Sequence, residues 1–383
     1  MEQHKCRACG ESLGALVLDL GDQPACDYFP QQGTLGSDPV YPLQMWQCSS
    51  CGLAQLLTDP TIPEEPRAKE PMALVLQAAD AVERVAMAGL LPTGALVAEY
   101  GSPHGGSWLD LLAARGLAPT PPGDSADVIV DCFGMMHAAD QHAALAERTA
   151  RLRPGGVLLL QYHSLNTIIS RGQWNALRHG HYAYYSTSAL TAMLASHGFS
   201  PRTAWKFDLY GGTVLLAAGR DSDRPGPVDD AAYASGADGI VRAILTEEAR
   251  TGVRDPETIR GLQRDAQAHA KRLHDWLVEQ RSAGNSVLGY GAASRAVALL
   301  LQAQVDRSLL PAVVDASPAK QGLRMPGTDI PIVGTEGLAT RRLDAVVLFV
   351  PDLLPEVRKA FPEVEAAGAR WVDVEDHGSA GLQ

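Results

Sequence analysis

The sequence predicts an α/β protein in which a small cysteine-rich unit precedes two units built on parallel sheets. The first observation behind this prediction is a pair of Cys-x-x-Cys motifs near the N-terminus. The second is the alternation of buried strands with helices between about residues 95 and 162, which is typical of a parallel sheet. The third is a new strand followed by a glycine turn from Ser286 onward. With 383 residues, the chain is long enough for two or three domains with separate cores.

The two cysteine pairs predict a structural zinc site. Cys6 and Cys9 form one knuckle, and Cys48 and Cys51 form the other. Each knuckle directs two thiolates at one metal ion, so the two together complete the closed tetrahedral shell of structural zinc. Because all four metal positions are then held by protein, we expect the ion to stabilise the fold and to take no part in chemistry. Free or disulfide-bonded cysteines are the alternative.

The predicted elements divide the chain into four segments. We expect a zinc-binding domain at 1–60, a parallel-sheet domain at 61–220, a linker with a long helix at 221–282, and a Rossmann-like domain at 283–383. Strands are predicted at 16–20, 41–47, 95–101, 126–131, 157–162, 211–218, 312–315, 344–350 and 370–374, and helices at 72–91, 107–115, 138–153 and 188–197. The charged helix at 256–282 is too polar for a core on this interpretation, so we expect a strut between domains.

The composition favours a soluble protein that binds neither nucleic acid nor membranes. The net charge is −12 and no basic stripe is present, which argues against a nucleic-acid partner. No apolar run is long enough to span a bilayer, and the N-terminus lacks the apolar segment of a secretion signal. Four paired cysteines, with Cys26 and Cys132 as free thiols, fit a reducing cytoplasm.

A glycine turn after the first buried strand is the first candidate ligand site. Glu99, Gly101 and Gly105 lie between a strand and a helix. At this position a glycine turn lets a nucleotide or S-adenosylmethionine approach the backbone. A tight turn without a ligand is the alternative.

A second glycine run lies in the last segment. Gly289 and Gly291 again join a strand to a helix, and Asp315 ends the next strand, where an acidic residue grips a ribose in Rossmann folds. Lys320 and Gln321 follow in a loop of unusual composition, and loops on a rigid sheet often bind ligands. The alternative is a purely structural α/β unit.

A cluster of histidines and tyrosines provides candidates for acid–base chemistry. Its members, within nine residues, include Arg178, His179, His181, Tyr184 and Tyr185. Histidine exchanges protons near neutral pH, and so many polar rings before a helix are hard to place in a core. His163, which follows the third predicted strand of the parallel sheet, is expected at the same end of the sheet.

These landmarks in this order resemble the nucleotide-deoxysugar C-methyltransferases of antibiotic pathways. The similarity covers nearly the whole chain and is most specific in the knuckles, at 287–293, and at 314–322 with 326–332. The resemblance implies a structural zinc domain, a central S-adenosylmethionine domain and a C-terminal Rossmann-like domain. It also implies a dTDP-4-keto-6-deoxysugar bound between the last two domains. Members remove a proton next to the ketone and then methylate the enolate carbon.

The chain departs from this family around the catalytic histidine. The family pattern is similar to Tyr-x-Glu-His, whereas this sequence has Arg178 in place of the tyrosine and Gly180 in place of the glutamate. His181 matches the family histidine. Tyr210 stands where the family has a histidine before a Gly-Gly strand.

A second departure concerns the length of the central sheet. Only about ten residues, 116–125, separate the helix near Arg115 from the strand at Ala126, whereas a complete βαβ step needs about 30. In a full S-adenosylmethionine fold this stretch would supply the second strand, its ribose-binding acidic residue and the following helix. We expect both elements to be missing.

Three functions remain open at this point. The first is a tailoring enzyme that has lost methylation and reworks a nucleotide keto-sugar by enolisation, epimerisation or dehydration, or by ketoreduction if it recruits NAD(P)H. In it, His181 would move the proton and Tyr184 or Tyr185 would steady the enolate. The second is a working methyltransferase with a rearranged pocket around Glu99, Gly101 and Gly105. The third is a non-catalytic binding partner of another protein.

Overall fold

Three sheets organise the chain in the computed structural model, which describes residues 4–33, 36, 38–58, 71–102, 105–223, 238–339 and 342–374. In sequence the strands are β1 Gly14–Pro24, β2 Val40–Cys48, β3 Ala54–Leu56, β4 Leu96–Gly101, β5 Ala118–Pro119, β6 Ala126–Cys132, β7 Leu152–His163, β8 Ala183–Tyr184, β9 Phe199–Phe207, β10 Thr213–Arg220, β11 Val287–Tyr290, β12 Val313–Val314, β13 Ile332–Val333, β14 Ala345–Leu348 and β15 Arg370–Asp373. The strand order is β1-β2-β3-β8 in the first sheet, β5-β4-β6-β7-β10-β9 in the central sheet and β13-β12-β11-β14-β15 in the last sheet. The predicted α/β class is confirmed.

Helices cover the two larger sheets and join them. They are α1 Met72–Met87, α2 Leu109–Ala113, α3 Gln141–Arg151, α4 Leu165–Ser170, α5 Thr187–Ser196, α6 Asp238–Thr251, α7 Pro256–Ile259, α8 Gly261–Ser282, α9 Ser294–Gln302, α10 Leu354–Ala360 and α11 Pro362–Ala366. The start of α5 is fixed by two acceptors. The Ser186 hydroxyl accepts from the Ala189 N–H at 3.1 Å, and the buried Glu248 carboxylate accepts from Thr187 N at 2.6 Å.

The first sheet is antiparallel and includes a strand from far along the chain. β1 pairs with β2, β2 with β3, and β3 with β8, where Ala54 lies opposite Tyr184. Because Tyr184 belongs to the predicted site cluster, this pairing ties the cysteine-rich unit directly to that cluster.

The central sheet is parallel from β5 to β7 and antiparallel beyond it. β4 pairs in parallel with both β5 and β6, and β6 with β7, while β10 runs antiparallel to β7 and β9. The prediction that the second strand is missing is wrong, because Ala118 and Pro119 pair with Leu96 and Val97. The prediction that no helix follows it is confirmed, since the described chain passes from Pro119 to β6 through turns alone.

The last sheet has five strands, and every adjacent pair is parallel. α8 precedes it, and here the strut prediction is wrong. One face of α8 is buried with Leu273, Trp276 and Leu277 in a core that also contains Val17 of β1 and Val297 of α9. The polar composition reflects the other face alone, since an amphipathic helix needs only one apolar stripe.

The first unit is clamped to the last sheet by a buried ion pair. The Arg324 guanidinium forms a bidentate pair with the Asp38 carboxylate, and their side chains are 1% and 8% exposed. Asp38 also accepts from Gly327 N at 2.7 Å, and Arg324 donates to the carbonyl oxygens of Gln31 and Thr328. The two units therefore share both a core and a charged anchor.

Candidate functional site

The four predicted zinc ligands meet at one point. The Sγ atoms of Cys6, Cys9, Cys48 and Cys51 all lie within 4.8 Å of one another. The Cys6–Cys51 and Cys9–Cys48 sulfur distances are 3.5 Å and 3.6 Å. A tetrahedron with zinc–sulfur bonds of ~2.3 Å has sulfur–sulfur edges of about 3.8 Å, whereas a disulfide requires ~2.05 Å. The geometry therefore fits a metal shell.

The close approach of the four sulfurs shifts the pKa values of these thiols in opposite directions. The side-chain hydrogen bond with Cys51 lowers the pKa of Cys6 to about 5, and the same contact raises the pKa of Cys51. Burial raises the pKa of Cys9 to about 11. Four sulfurs this close share protons when no cation is present, and a divalent metal lets them all ionise.

The glycines after β4 leave space beside them, and the acidic residue before them is already engaged. Among the described residues, no atom lies within 4 Å of a Cβ built on Gly101 or Gly105. The Glu99 carboxylate accepts from Trp108 N at 2.5 Å and from the Ser107 hydroxyl at 2.6 Å. The turn could admit a ligand against its backbone, while Glu99 fixes the start of α2.

The edge of the sheet beside this turn does not fit the ribose of S-adenosylmethionine. β5 has two residues, and Thr120 to Gly123 after it carry no acidic side chain. The first acidic residue, Asp124, comes just before β6 begins and so lies at the opposite end of the parallel strands. In the described part of the chain, β5 is thus followed by no carboxylate at the position that would grip a ribose beside the glycines.

The structure brings Arg178, His181 and Tyr184 together where the three sheets meet. Arg178 Nε–H donates to His181 Nε2 at 2.7 Å. Its guanidinium also contacts the Ser294 hydroxyl at the start of α9, and Asp27 of the first unit lies 3.8 Å away. One side chain therefore bridges all three units at the predicted catalytic histidine.

A second histidine, which the sequence analysis missed, lies against this cluster. The His137 ring packs edge-on to the His181 ring with centroids 4.7 Å apart. His137 Nδ1 lies 3.0 Å from the Gly180 carbonyl oxygen, so Nδ1 carries the proton and donates it. The two loops are also joined by a bond from Tyr182 N to Met136 O at 2.7 Å. The sequence feature that could have identified His137 was its position just after β6, at the carboxyl end of a parallel strand.

Tyr184 is fully buried behind the histidines. Its hydroxyl accepts from Arg178 N at 3.0 Å and lies 3.4 Å from the Arg178 carbonyl oxygen. Burial raises the pKa of Tyr184, so its hydroxyl stays protonated at neutral pH. Tyr184 therefore holds the backbone of Arg178 and, with it, the guanidinium beside His181.

Two predicted members of the cluster point elsewhere. Tyr185 is 2% exposed and donates to the Gln141 side chain in the central core. His179 is 3% exposed, packs edge-on against Tyr41 and lies 3.4 Å from the Pro42 carbonyl oxygen, and burial lowers its pKa. Both side chains thus contact residues outside the group of Arg178, His181 and Tyr184, and an acid–base role for either of them stays a prediction.

Aromatic and charged residues of the central and last units pack together. Phe133 and Tyr210 have positive φ values of 59° and 55° and pack edge-on with centroids 6.0 Å apart. The Arg295 guanidinium of α9 lies 5.8 Å from the Tyr210 ring centre. Left-handed backbone at non-glycine residues is strained and is often found at functional sites.

His163 is buried and is not a base candidate. It is 8% exposed, and its Nε2 donates to the Gln173 side-chain oxygen at 3.1 Å. Burial, together with the charge of Arg295, lowers the pKa of His163 to about 3. The ring therefore stays neutral and hydrogen-bonded.

The glycines of the last unit are explained by packing. A Cβ on Gly289 would lie 2.7 Å from Phe349, and one on Gly291 would lie 2.8 Å from Val350. Both positions are thus filled by neighbouring side chains. Packing thus explains why glycine occupies both positions and gives no support to a dinucleotide such as NAD(P)H at this turn, while substrate binding by these glycines stays a prediction.

Hydrogen bonds around Ala292 and Asp315 involve all three remaining residues of the predicted substrate site, Asp315, Lys320 and Gln321. Asp315 accepts from Ala292 N at 2.7 Å and from Ser317 N at 2.8 Å. Lys320 is buried and donates to the Ala292 carbonyl oxygen at 2.9 Å, and Gln321 donates to the Asp315 carbonyl oxygen at 3.1 Å. Together they fix the backbone that leads into Ser294 and Arg295 of the site.

In the described ranges, no helix has both the length and the apolar character that crossing a bilayer requires.

Three family models match the chain in the order of its sheets. A zinc binding domain matches residues 6–64, a methyltransferase domain matches 117–204, and a C-methyltransferase C-terminal domain matches 209–374. The first of these ranges contains all four clustered cysteines, and the third contains Ser294 and Arg295.

The chain is also similar to individual known proteins. C-methyltransferase NovU of Streptomyces niveus is 23% identical over 409 aligned residues, which cover 96% of this chain and 94% of that protein. Among solved structures, magnesium protoporphyrin IX methyltransferase of Synechocystis PCC 6803 is 11% identical with a TM-score of 0.30, covering 39% of this chain and 84% of that one. The 1,6-didemethyltoxoflavin-N1-methyltransferase of Burkholderia thailandensis is 13% identical with a TM-score of 0.28, covering 43% and 94%.

Proposed function

Because the chain belongs to a C-methyltransferase-like family, we propose that it acts on a nucleotide-linked keto-sugar and that it performs proton transfer without methylation. The substrate class comes from the family resemblance, and the relationship to NovU supports a C-methyltransferase-like family. The reaction class comes from the site, which has two histidines in contact and, after β5, no carboxylate that could bind a ribose. The Cys₄ cluster would hold one structural zinc ion.

The observation that best supports this function is the contact of His181 with His137, Arg178 and Tyr184 at the meeting point of the three sheets. A keto-sugar carbon beside the carbonyl is acidic enough for a histidine to take its proton, and the electrons then move onto the carbonyl oxygen. Return of the proton to the same carbon on the other face gives epimerisation. Loss of a neighbouring hydroxyl as water gives dehydration. Neither step needs a methyl donor.

Deuterium exchange tests this proposal directly. Incubating the protein with a dTDP-4-keto-6-deoxysugar in D₂O should introduce deuterium beside the ketone, as followed by mass spectrometry. We expect His181→Gln to slow this exchange by at least about a hundredfold, since a positioned acid–base group contributes that much or more.

His142→Gln is the matched control, because His142 is exposed on α3 and contacts His197 rather than the cluster. It should exchange at the wild-type rate. Absence of exchange in the wild type would contradict the proposed function and favour a non-catalytic binding partner. Undiminished exchange in His181→Gln would exclude the role of His181.

A working C-methyltransferase is the second candidate, and the open backbone at Gly101 and Gly105 favours it. If S-adenosylmethionine binds, those glycines would receive it, and the cofactor would supply an electrophilic methyl group. Isothermal calorimetry separates the two candidates. We expect no binding of S-adenosylmethionine at micromolar concentration, because β5 ends without a ribose-binding carboxylate. Micromolar affinity would refute the loss of methylation.

A further inference from the structure

We propose that Arg7 is a positioning residue through which the first cysteine knuckle, Cys6 and Cys9, holds the β6–α3 loop. This loop comprises residues 133–140 and contains His137 of the candidate site. The proposal deepens the proposed function, and it depends on that function only for its effect on catalysis. Because Arg7 lies between the two cysteines, the same short segment that would bind zinc would also fix the loop.

The backbone of Arg7 caps the start of α3. Its carbonyl oxygen accepts from Gln141 N at 3.1 Å and from His142 N at 3.3 Å. The Asp140 side chain accepts from the third amide of the helix, Ala143 N, at 2.9 Å. The first N–H groups of a helix have no partner within it. The first knuckle therefore supplies two of the three caps that end the β6–α3 loop and begin α3.

The side chain of Arg7 contacts two loops. Its Nη1 donates to the Ala139 carbonyl oxygen at 3.0 Å, just before α3 begins. The guanidinium also lies over the Tyr182 ring, 4.7 Å from the ring centre. Tyr182 N in turn donates to the Met136 carbonyl oxygen at 2.7 Å. One side chain thus binds both the β6–α3 loop and the loop before β8, and these two loops are joined to each other beside it.

The first sheet fixes Arg7 in turn. Gln55 of β3 is buried, and its side chain accepts from Arg7 N at 2.8 Å and donates to the Lys5 carbonyl oxygen at 3.0 Å. Arg7 Nε donates to the Leu56 carbonyl oxygen at 3.3 Å. These bonds anchor the backbone on both sides of Cys6 to β3. A planar guanidinium that is held in this way and carries several donors restricts the position of the loop that it binds.

The β6–α3 loop carries a ring that packs against His181. His137 Nδ1 lies 3.0 Å from the Gly180 carbonyl oxygen, and the centres of the His137 and His181 rings are 4.7 Å apart. Both contacts depend on where the β6–α3 loop lies. Misplacement of a catalytic group by about 1 Å can reduce a reaction rate about a hundredfold. Arg7 therefore acts on the proposed proton transfer through the loop and has no direct contact with the substrate.

Two variants of Arg7 and one control separate this role from a general effect on stability. Arg7→Met removes the guanidinium donors, whereas Arg7→Lys keeps a positive charge near Tyr182 and one donating group. Both keep the carbonyl cap on α3, because the cap belongs to the backbone. Arg254→Met is the matched control, since Arg254 donates to the Ser50 carbonyl oxygen in the second knuckle at 2.8 Å. It removes an arginine from a knuckle and leaves the β6–α3 loop unchanged.

Amide hydrogen exchange, followed by mass spectrometry on peptides of the zinc-loaded protein, measures the order of the loop without substrate. In Arg7→Met we expect the amides of 135–143 to exchange at least about tenfold faster than in the wild type, because hydrogen bonds from a charged donor are lost. Arg7→Lys should show a smaller increase, and Arg254→Met none. The last sheet, at 345–348 and 370–373, should keep its wild-type protection in all three variants, and each should retain one zinc ion per chain.

The positioning role is overturned if the loop exchanges at the wild-type rate in Arg7→Met, or if Arg254→Met loosens it equally. It is also overturned if Arg7→Lys is as loose as Arg7→Met, since neither the charge nor the donor would then matter. If Arg7→Met loses zinc or loosens the last sheet as well, Arg7→Lys decides. A zinc-loaded lysine variant in which this loop alone exchanges faster supports the role, and one that matches the wild type refutes it.

Deuterium incorporation into the keto-sugar tests the effect on catalysis. At saturating substrate we expect Arg7→Met to be at least about tenfold slower than the wild type, with Arg7→Lys in between and Arg254→Met unchanged. A wild-type rate in an Arg7→Met protein with a loosened loop would overturn the link to catalysis. A wild type that incorporates no deuterium, while the loop responds as expected, would refute the proposed function and leave the positioning of the loop intact.

Discussion

Cys48→Ser should abolish zinc binding and unfold the first sheet. Metal binding by a Cys₄ site contributes about 10–16 kcal/mol in small zinc domains, and that energy is folding energy because the site does not exist in the unfolded chain. Cys48 also ends β2 and is 1% exposed. Metal analysis should fall from one zinc ion per chain toward zero, and circular dichroism should show a lost or lowered thermal transition.

The unfolding should reach the candidate site. Arg7, which lies next to Cys6, packs over the Tyr182 ring at 4.7 Å, and Ala54 pairs with Tyr184. The deuterium exchange proposed above should therefore disappear together with the zinc. Cys26→Ser is the matched control, because Cys26 is buried but lies outside the cluster. It should keep a full zinc ion, and a Cys48→Ser protein that retains zinc and melts like the wild type would contradict the prediction.

Asp38→Ala should destabilise the protein by about 3–5 kcal/mol, since it leaves the buried Arg324 charge without its partner. Chemical denaturation measures this loss as a lower midpoint. The exposed pair of Lys271 and Asp275 is the control, because both side chains are more than half exposed and such pairs contribute about 0–1 kcal/mol. If Asp38→Ala and Asp275→Ala have equal effects, the clamp is not a significant source of stability.

The same clamp should give the stability a pH dependence with a defined sign. Burial alone would raise the pKa of Asp38, but the hydrogen bonds from Arg324 and Gly327 and the arginine charge outweigh it and lower that pKa. The stabilisation by the Asp38–Arg324 pair is therefore complete above the pKa of Asp38 in the unfolded chain, about 3.9. It is lost as the pH falls through the lower pKa of Asp38 in the folded protein. Below pH of about 4 the difference in midpoint between wild type and Asp38→Ala should shrink.

The sequence predicted the architecture well where local patterns are strong. The cysteine knuckles, the strands at 126–131 and 157–162 and the final parallel sheet were all visible from spacing and apolar runs. β5 was missed because two residues with prolines nearby give no periodic signal, and only pairing with Leu96 and Val97 makes them a strand. The face of α8 was misjudged because its average polarity concealed a buried stripe.

For the site, the sequence located one histidine and missed its neighbour. His181 was found because a cluster and a family pattern surround it. His137 stands alone in the sequence, and its contact with His181 depends on how two loops of different strands meet. Tyr185 and His179 were included by proximity along the chain, yet their side chains contact Gln141 in the central core and Tyr41 in the first unit.

The pairing of β3 with β8 has a consequence for any attempt to exchange parts between relatives. A chimera that takes the central sheet from one protein and the cysteine-rich unit from another pairs strands of different parents. Ala54 then comes from one parent and Tyr184 from the other. Exchanging these units separately would disturb the β3–β8 pairing that positions Tyr184, whose hydroxyl binds the backbone N–H of Arg178. Productive chimeras should therefore take both strands of this pair from the same parent.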